Sequence, residues 1–218
     1  MVEVRHLKSI PFFNCLKDDI LEQLSQIATI RKYVNSDILF YEKDTQDVIF
    51  YLVSGAIKFY KVDRFDNEIF LYKITSDSII FDIAKICDEH ILSCYANAEF
   101  LEDSTILIFN GVKFRELMKI NRDFMSVVLR ESFKMIQQLQ CIISRDIVFD
   151  ATAKVAHMLI DNLNNFNSLK KHEIAYMLHI QPETLSRILK KLTRNKIISI
   201  EKNYIKISNI DKLKEICE

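Results

Sequence analysis

The chain has 218 residues, 49% of them hydrophobic, and its 30 basic residues balance its 30 acidic residues. This composition supplies enough apolar side chains for a substantial core and fits one or two globular domains. No apolar run approaches the ~18 residues of a membrane span, and the charged N-terminus lacks the apolar core of a secretory signal. Five cysteines without a CxxC pair suit reduced thiols. We therefore expect a soluble, cytoplasmic protein with no membrane partner.

The first half of the chain has the pattern of a β-rich domain. The segment DDILEQLSQIATI predicts an amphipathic helix, and short runs rich in Ile, Phe, Val and Tyr follow it. Because the chain has only two glycines, Gly55 and Gly111, we expect Asn, Asp and Ser to form most turns. The pattern predicts a sandwich, roll or barrel over residues 1–113. The β-rich runs are DILFYE, VIFYLVSG, AIKFYKV, EIFLYKI, SIIFDI, SCYANAEF and TILIF.

From Phe114 the spacing of apolar residues changes to three or four, which predicts a long helix with a hinge over residues 114–148. Two stripes of apolar side chains run along the surface of this predicted helix. The stripe that contains Phe124 and Val128 suits packing within its own domain, and the other suits coiled-coil-like dimerisation. The alternative is a helix wholly buried in a monomer. The predicted dimer stripe consists of Met125, Leu129, Ile136, Leu139 and Ile143.

Residues 149–218 have the pattern of a winged helix-turn-helix. Asp150 is a predicted N-cap for the helix ATAKVAHMLIDNL, and NNFNS predicts a loop. Two short helical segments, KKHEIAYML and PETLSRILKKL, then precede two β runs, which is typical of this motif. His179 lies at the turn, where the motif commonly has Gly, so it predicts a left-handed backbone. Pro182 is the predicted first residue of the second helix.

The charge distribution within this domain is uneven. Residues 168–206 contain nine Lys and Arg against three Glu, which is typical of a DNA-binding module or, alternatively, of a solvated face. Glu183 and Arg187 lie four residues apart at the start of the second helix. At this spacing they can form an ion pair that stabilises the helix. They can also recognise DNA bases, because Arg donates to guanine O6 and N7 and Glu accepts from cytosine N4. The two interpretations are compatible.

The chain resembles the Crp/Fnr family of bacterial transcription regulators in LVSGAIKFYK, the long helix, DATAKVAHML and EIAYMLHIQPETLSRILKKL. The resemblance covers nearly the full length. It implies an α+β fold with an N-terminal cyclic-nucleotide-binding-like β-roll (jelly roll), a long dimerisation helix and a C-terminal winged helix-turn-helix. It further implies a homodimer that binds an inverted repeat in double-stranded DNA and contacts RNA polymerase.

The resemblance also assigns roles to individual residues of the DNA-binding domain. It implies that Glu183, Ser186 and Arg187 contact bases. The E-x-x-S-R spacing is similar to the FNR-like subset, which implies a half-site related to TTGAT. The residues implied to contact DNA phosphates are Lys170, Lys171, Thr184 and Lys202.

The cofactor sites of the family are not matched in this sequence. The Gly-Glu pair that holds the ribose of a cyclic nucleotide is replaced by Phe81-Asp82, and the Arg-Ser pair that holds its phosphate by Cys94-Tyr95. We therefore expect no cAMP binding. We also expect no 4Fe–4S cluster, because Cys15 is the only cysteine near the N-terminus.

The segment CDEHILSC is a candidate effector region, and no metal site is predicted. Cys87, His90 and Cys94 are residue types that bind haem or metals, or they are ordinary structural residues. The effector is therefore unknown.

The sequence also bears on two other classes of function. The sequence has no HExxH, GxSxG or Gly-rich phosphate loop, so we expect no enzyme. A sensor module that acts through protein contacts, with a vestigial helix-turn-helix, is the main alternative. Arg187 and its basic surroundings argue against that alternative.

Overall fold

The computed structural model describes residues 2–80, 94–201 and 204–217, with the backbone alone for residues 144–148. The chain divides into two compact units, Met1–Gln137 and Gln138–Glu218, here called the N-terminal and C-terminal units. The predicted α+β class is confirmed, with strands dominating the first unit and a helix-turn-helix in the second.

The helices that begin in the N-terminal unit are α1 (Val4–Lys8), α2 (Asp18–Ile27), α3 (Gly111–Ile120) and α4 (Arg122–Val148). Its strands are β1 (Ala28–Tyr33), β2 (Ile38–Phe40), β3 (Val48–Ser54), β4 (Ala56–Val62), β5 (Glu68–Thr75), β6 (Ser78–Ile80), β7 (Asn97–Phe100) and β8 (Ser104–Asn110).

These strands form a roll of two antiparallel sheets with the orders β1-β8-β3-β6 and β2-β7-β4-β5. The core between the sheets is apolar. Phe50 and Leu52 of one sheet belong to the same buried cluster as Phe59 and Phe100 of the other. The Phe59 ring stacks on Tyr72 at 4.7 Å between centroids, which adds a directional contact to the apolar burial.

The first sheet also packs its other face against helices. Side chains alternate across a strand, so Tyr51 points away from the roll interior that holds Phe50 and Leu52. Tyr51 lies in a second core cluster together with Leu21 of α2 and Phe124 of α4. Sheet, sheet and helices therefore form three layers, and one face of α4 is buried in the third.

The predicted helix over DDILEQLSQIATI is too long. Helix α2 ends at Ile27, and Ala28–Tyr33 forms strand β1, which pairs with Ser104–Phe109 of β8. The β-branched Thr29 and Ile30 favour a strand, and the ladder with β8 supplies partners for their backbone groups. The apolar residues of Asp18–Ile27 have helical spacing, and this spacing gives no sign that the helix ends before Ala28.

Because glycine is scarce, other residues adopt positive φ angles in the turns of the N-terminal unit. Ser36, Asp66 and Asp77 adopt positive φ angles of 71°, 61° and 62°, which confirms the expectation that Ser and Asp replace Gly there. Lys43, with φ 72°, was not expected in this conformation. Gly55 has φ 102° and connects β3 to β4.

The C-terminal unit contains α5 (Ala151–Asp161), α6 (Leu163–Ser168), α7 (Lys171–Met177), α8 (Pro182–Arg194), β9 (Ile198–Glu201), β10 (Tyr204–Ile207) and α9 (Ile210–Glu215). The predicted loop at NNFNS is wrong, because these residues belong to α6. The Asn162 side chain accepts from the Asn165 N–H at 2.9 Å and caps this short helix. Phe166 anchors it in the buried core of the unit.

Candidate DNA-binding surface

A tight turn joins α7 to α8. The Ile180 N–H donates to the Ala175 carbonyl at 3.0 Å, and the His179 N–H donates to the Tyr176 carbonyl at 3.2 Å. These two bonds form a Schellman motif, which needs a left-handed residue just after the helix. His179 has φ 53°, so the expected left-handed conformation is confirmed.

Helix α8 begins at Pro182, as predicted, where the missing N–H of proline costs no helical hydrogen bond. Its apolar side chains recur at three- and four-residue intervals and are all buried in the core of the C-terminal unit. The opposite side of α8 therefore faces solvent. The buried residues are Leu185, Ile188, Leu189 and Leu192.

The predicted base-contacting residues lie on the N-terminal half of α8. Glu183 and Arg187 are exposed, and Ser186 is half-buried. No ion pair joins Glu183 to Arg187, both of which lie in the described part of the chain; instead Arg187 Nη2 donates to Thr184 Oγ1 at 3.2 Å. A hydrogen bond to a neutral hydroxyl leaves the guanidinium charge uncompensated. Both charged side chains are thus free to meet an external partner.

The structure describes three of the four residues predicted to contact phosphates. Lys170 and Lys171 are exposed at the start of α7, where Glu173 Oε2 accepts from the Lys170 N–H at 2.6 Å and fixes the first turn. Thr184 is half-buried on α8. Lys202 lies outside the described residues.

The wing is held to the helices by a residue that the sequence analysis did not single out. Asn167 donates from Nδ2 to the Ile205 carbonyl at 2.9 Å and accepts from the Ile205 N–H at 2.8 Å. The wing also carries an ion pair, because Lys206 Nζ lies 2.8 Å from Glu201 Oε2. Hydrogen bonding to this carboxylate raises the pKa of Lys206. A polar residue in a stretch predicted as a loop gave no indication of this positioning role.

Helix α4 carries the predicted dimer stripe. Phe124 and Val128 are buried, whereas the residues of the other stripe reach solvent, so the predicted division into two faces agrees with the exposure of these side chains. Phe133 is 62% exposed beside this stripe and was missed by the sequence analysis. Of the predicted interface residues, Leu139 is half-buried. The exposed ones are Met125, Leu129, Ile136 and Ile143.

The described part of the predicted nucleotide site contains Cys94 and Tyr95. Cys94 is buried in the roll core, and its backbone exchanges hydrogen bonds with the loop after β2. Tyr95 is 52% exposed, with Lys61 Nζ 4.6 Å from its ring centroid. The other residues assigned to the nucleotide and effector positions lie outside the described residues. They are Phe81, Asp82, Cys87 and His90.

Within residues 2–80, 94–201 and 204–217, no cluster of three or more His, Cys, Asp or Glu side chains is arranged to hold a metal ion. None of the described helices is long and apolar enough to cross a membrane.

Two family models match this chain: the cyclic nucleotide-binding domain over residues 30–121 and the Crp-like helix-turn-helix domain over residues 153–216. Together they account for most of the sequence, in the order that the roll and the helix-turn-helix have here. The chain belongs to the Crp/Fnr family. Members of this family are helix-turn-helix transcription regulators.

Individual members of the family are distant from this chain. The cAMP-activated global transcriptional regulator CRP of Pasteurella multocida is 22% identical over 193 residues, covering 84% of this chain and 91% of that protein. The structure of FixK2 from Bradyrhizobium japonicum matches with TM-score 0.67 and 15% identity, covering 88% and 98% of the two chains. A CooA mutant from Carboxydothermus hydrogenoformans matches with TM-score 0.69 and 20% identity, covering 88% and 89%. These structures share the fold.

Proposed function

We propose that this protein is a sequence-specific DNA-binding transcription regulator that acts as a homodimer on an inverted repeat with FNR-like half-sites, and not as an enzyme. The observation that carries the proposal is the exposed, mutually unpaired Glu183 and Arg187 on the N-terminal half of α8. Side chains at this end of a recognition helix are those that reach base edges in the major groove.

The chemistry of these side chains fits a half-site with a G·C pair. The guanidinium of Arg187 presents two parallel donors to O6 and N7 of a guanine, and the carboxylate of Glu183 accepts from the amino group of a cytosine. If the pair served helix stability alone, an ion pair between them would be expected at this spacing. Arg187 instead bonds to Thr184, which leaves Glu183 available.

Arg187→Ala is expected to weaken binding to the preferred half-site by about 1–3 kcal/mol, because one bidentate base contact is lost. The measurement is equilibrium binding to the selected site and to the same site with one G·C pair changed. The parent should discriminate between them, and Arg187→Ala should not. A Lys113→Ala control, which removes one charge from the N-terminal unit, should discriminate like the parent. Full discrimination by Arg187→Ala would show that Arg187 does not contact that base.

The exposed stripe on α4 supports the homodimer. Leu129, Ile136 and Ile143 recur at seven-residue intervals and are exposed in the single chain, which suits a partner helix packed along them. Two copies related by a two-fold axis would present two recognition helices about 34 Å apart, one turn of DNA. An inverted repeat matches that symmetry.

We further propose that neither cAMP nor a 4Fe–4S cluster regulates this protein, although the similar protein of Pasteurella multocida is named as cAMP-activated. Cys94 is buried in the apolar core and Tyr95 is half-exposed beneath Lys61, so these residues do not supply paired donors to a cyclic phosphate. Burial of Cys94 also favours its interpretation as a structural residue over a haem ligand. A 4Fe–4S cluster needs four thiolates, and Cys15 is the only cysteine near the N-terminus.

Titration of the full chain with millimolar cAMP or cGMP is therefore expected to give no heat beyond dilution in a calorimeter. A saturable heat signal with one site per chain would contradict this proposal. Base recognition by Arg187 is independent of that outcome.

A further inference from the structure

A cleft of about 540 Å³ lies within the C-terminal unit, between the first turn of α5 and the outer side of α8. Thr152 is on the α5 side. The α8 side carries four cationic residues, Arg187, Lys190, Lys191 and Arg194, and no acidic residue of the described part of the chain lines the cleft. The last three were not assigned a role from the sequence.

The cations follow one side of the helix. Thr184, Arg187, Lys191 and Arg194 succeed one another at steps of three or four residues, so they form a row along α8, and Lys190 lies beside it. Ile188, which is buried in the core of the unit, also lines the cleft. The row continues the base-contacting surface towards the C-terminal end of the helix.

This positive charge is uncompensated within the described part of the chain. No carboxylate there forms an ion pair with Lys190, Lys191 or Arg194, whereas Lys206 on the wing is paired with Glu201. Like charges three and four residues apart on a helix repel one another, so the row carries an unfavourable electrostatic energy. An external anion in the cleft would relieve it.

The carboxylate beside the first turn of α5 already accepts hydrogen bonds from the backbone of that helix. The Asp150 carboxylate accepts from the Thr152 and Ala153 N–H groups, both at 2.8 Å, and so satisfies the helix end. The attraction for an anion therefore comes from the side chains of α8. The Thr152 hydroxyl adds a neutral donor on the facing side.

A simpler account applies to part of the row. Lys191 and Arg194 lie in the last turn of α8, where cations stabilise a helix by interacting with its dipole. That account does not extend to Lys190, which precedes the last turn, or to the lack of acidic residues among the described residues that line the cleft. The helix-dipole explanation predicts that replacing Lys191 and Arg194 lowers the stability of the protein without changing DNA binding.

We propose that this cleft binds the DNA backbone, with Lys190, Lys191 and Arg194 neutralising phosphates beside the half-site that Arg187 contacts. The inference rests on the proposed function. The seven residue-to-residue steps from Arg187 to Arg194 span about 10 Å along the helix. A row of this length is long enough to reach more than one phosphate of a strand, because successive phosphates advance only about 3.4 Å along the DNA axis. Phosphate contacts of this kind add affinity without sequence preference.

The test is the salt dependence of binding by the full chain to its selected DNA site. The double variant Lys191→Gln/Arg194→Gln is expected to reduce the slope of log Kobs against log[salt] by about two, because each lost phosphate contact removes about one unit. Its base preference should be unchanged. The control Lys32→Gln/Lys113→Gln removes the same two charges from the N-terminal unit and should keep the parent slope. Thermal unfolding of each variant is measured in parallel.

A parent-like slope in the cleft variant would overturn the inference, and with reduced thermal stability it would assign Lys191 and Arg194 to the helix dipole. A changed base preference would also overturn it, since the residues would then contact bases. Absence of specific DNA binding by the parent would instead reject the proposed function, and the inference with it.

Discussion

A variant with Ile136→Glu and Leu139→Glu is expected to be monomeric and to lose its affinity for the inverted repeat. In a two-fold dimer along α4 these substitutions bury like charges near the axis, at a cost of about 3–5 kcal/mol. Ile136 is exposed and Leu139 half-buried in the single chain, so the monomer itself should stay folded. Light scattering coupled to size-exclusion chromatography measures the mass, and binding to the full repeat is measured in the same buffer.

The control is Gln138→Glu, which places a negative charge on an exposed position of α4 outside the apolar stripe. This control should remain dimeric and bind like the parent. Tight, specific binding to the full repeat by a demonstrably monomeric Ile136→Glu/Leu139→Glu protein would show that dimerisation is not required.

Gly55→Ala is expected to destabilise the N-terminal unit by about 2–5 kcal/mol. Gly55 has φ 102°, where an L side chain is strained by about 1–2 kcal/mol. A Cβ at this position would also lie 2.6 Å from Ser104 Cβ and 2.9 Å from Ser104 Cα, and overpacking of this kind costs about 1–3 kcal/mol. Because the Cα belongs to the backbone of β8, rotation of the serine side chain does not remove the clash. Urea unfolding followed by circular dichroism measures the loss.

The control for this substitution is Ser54→Ala at the preceding position, which is exposed and has an ordinary backbone conformation. Its effect should lie within about 0.5 kcal/mol of the parent. A Gly55→Ala protein as stable as this control would show that the connection between β3 and β4 is not constrained as described.

Much of the fold was predictable because local and tertiary requirements agree. The described parts of the β-rich runs contain strands, Asp150 caps α5, and Pro182 begins α8, since each residue type has one strong preference at its position. Strand β1 was missed because its partner β8 lies more than seventy residues away in sequence, and the pairing of Thr29 with Ile108 has no local indication.

The DNA-binding surface was predictable in its residue types and less so in its contacts. Spacing alone suggested an ion pair between Glu183 and Arg187, whereas the rotamer of Arg187 brings it to Thr184. The role of Asn167 depends on the return of β10 to α6, which no local pattern reveals. The cationic cleft likewise depends on α5 packing beside α8, so the sequence gives Lys191 no individual role within the basic segment.

The most direct measurement of the proposed function is selection of bound DNA from a random-sequence pool by the full chain, in parallel with Arg187→Ala. The parent is expected to enrich an inverted repeat whose half-site centres lie one helical turn, about 34 Å, apart. Arg187→Ala should enrich the same repeat with one G·C position randomised. No enriched sequence with the parent would contradict DNA recognition and favour a module that acts through protein contacts. The same preference at every position with Arg187→Ala would contradict base recognition by this residue.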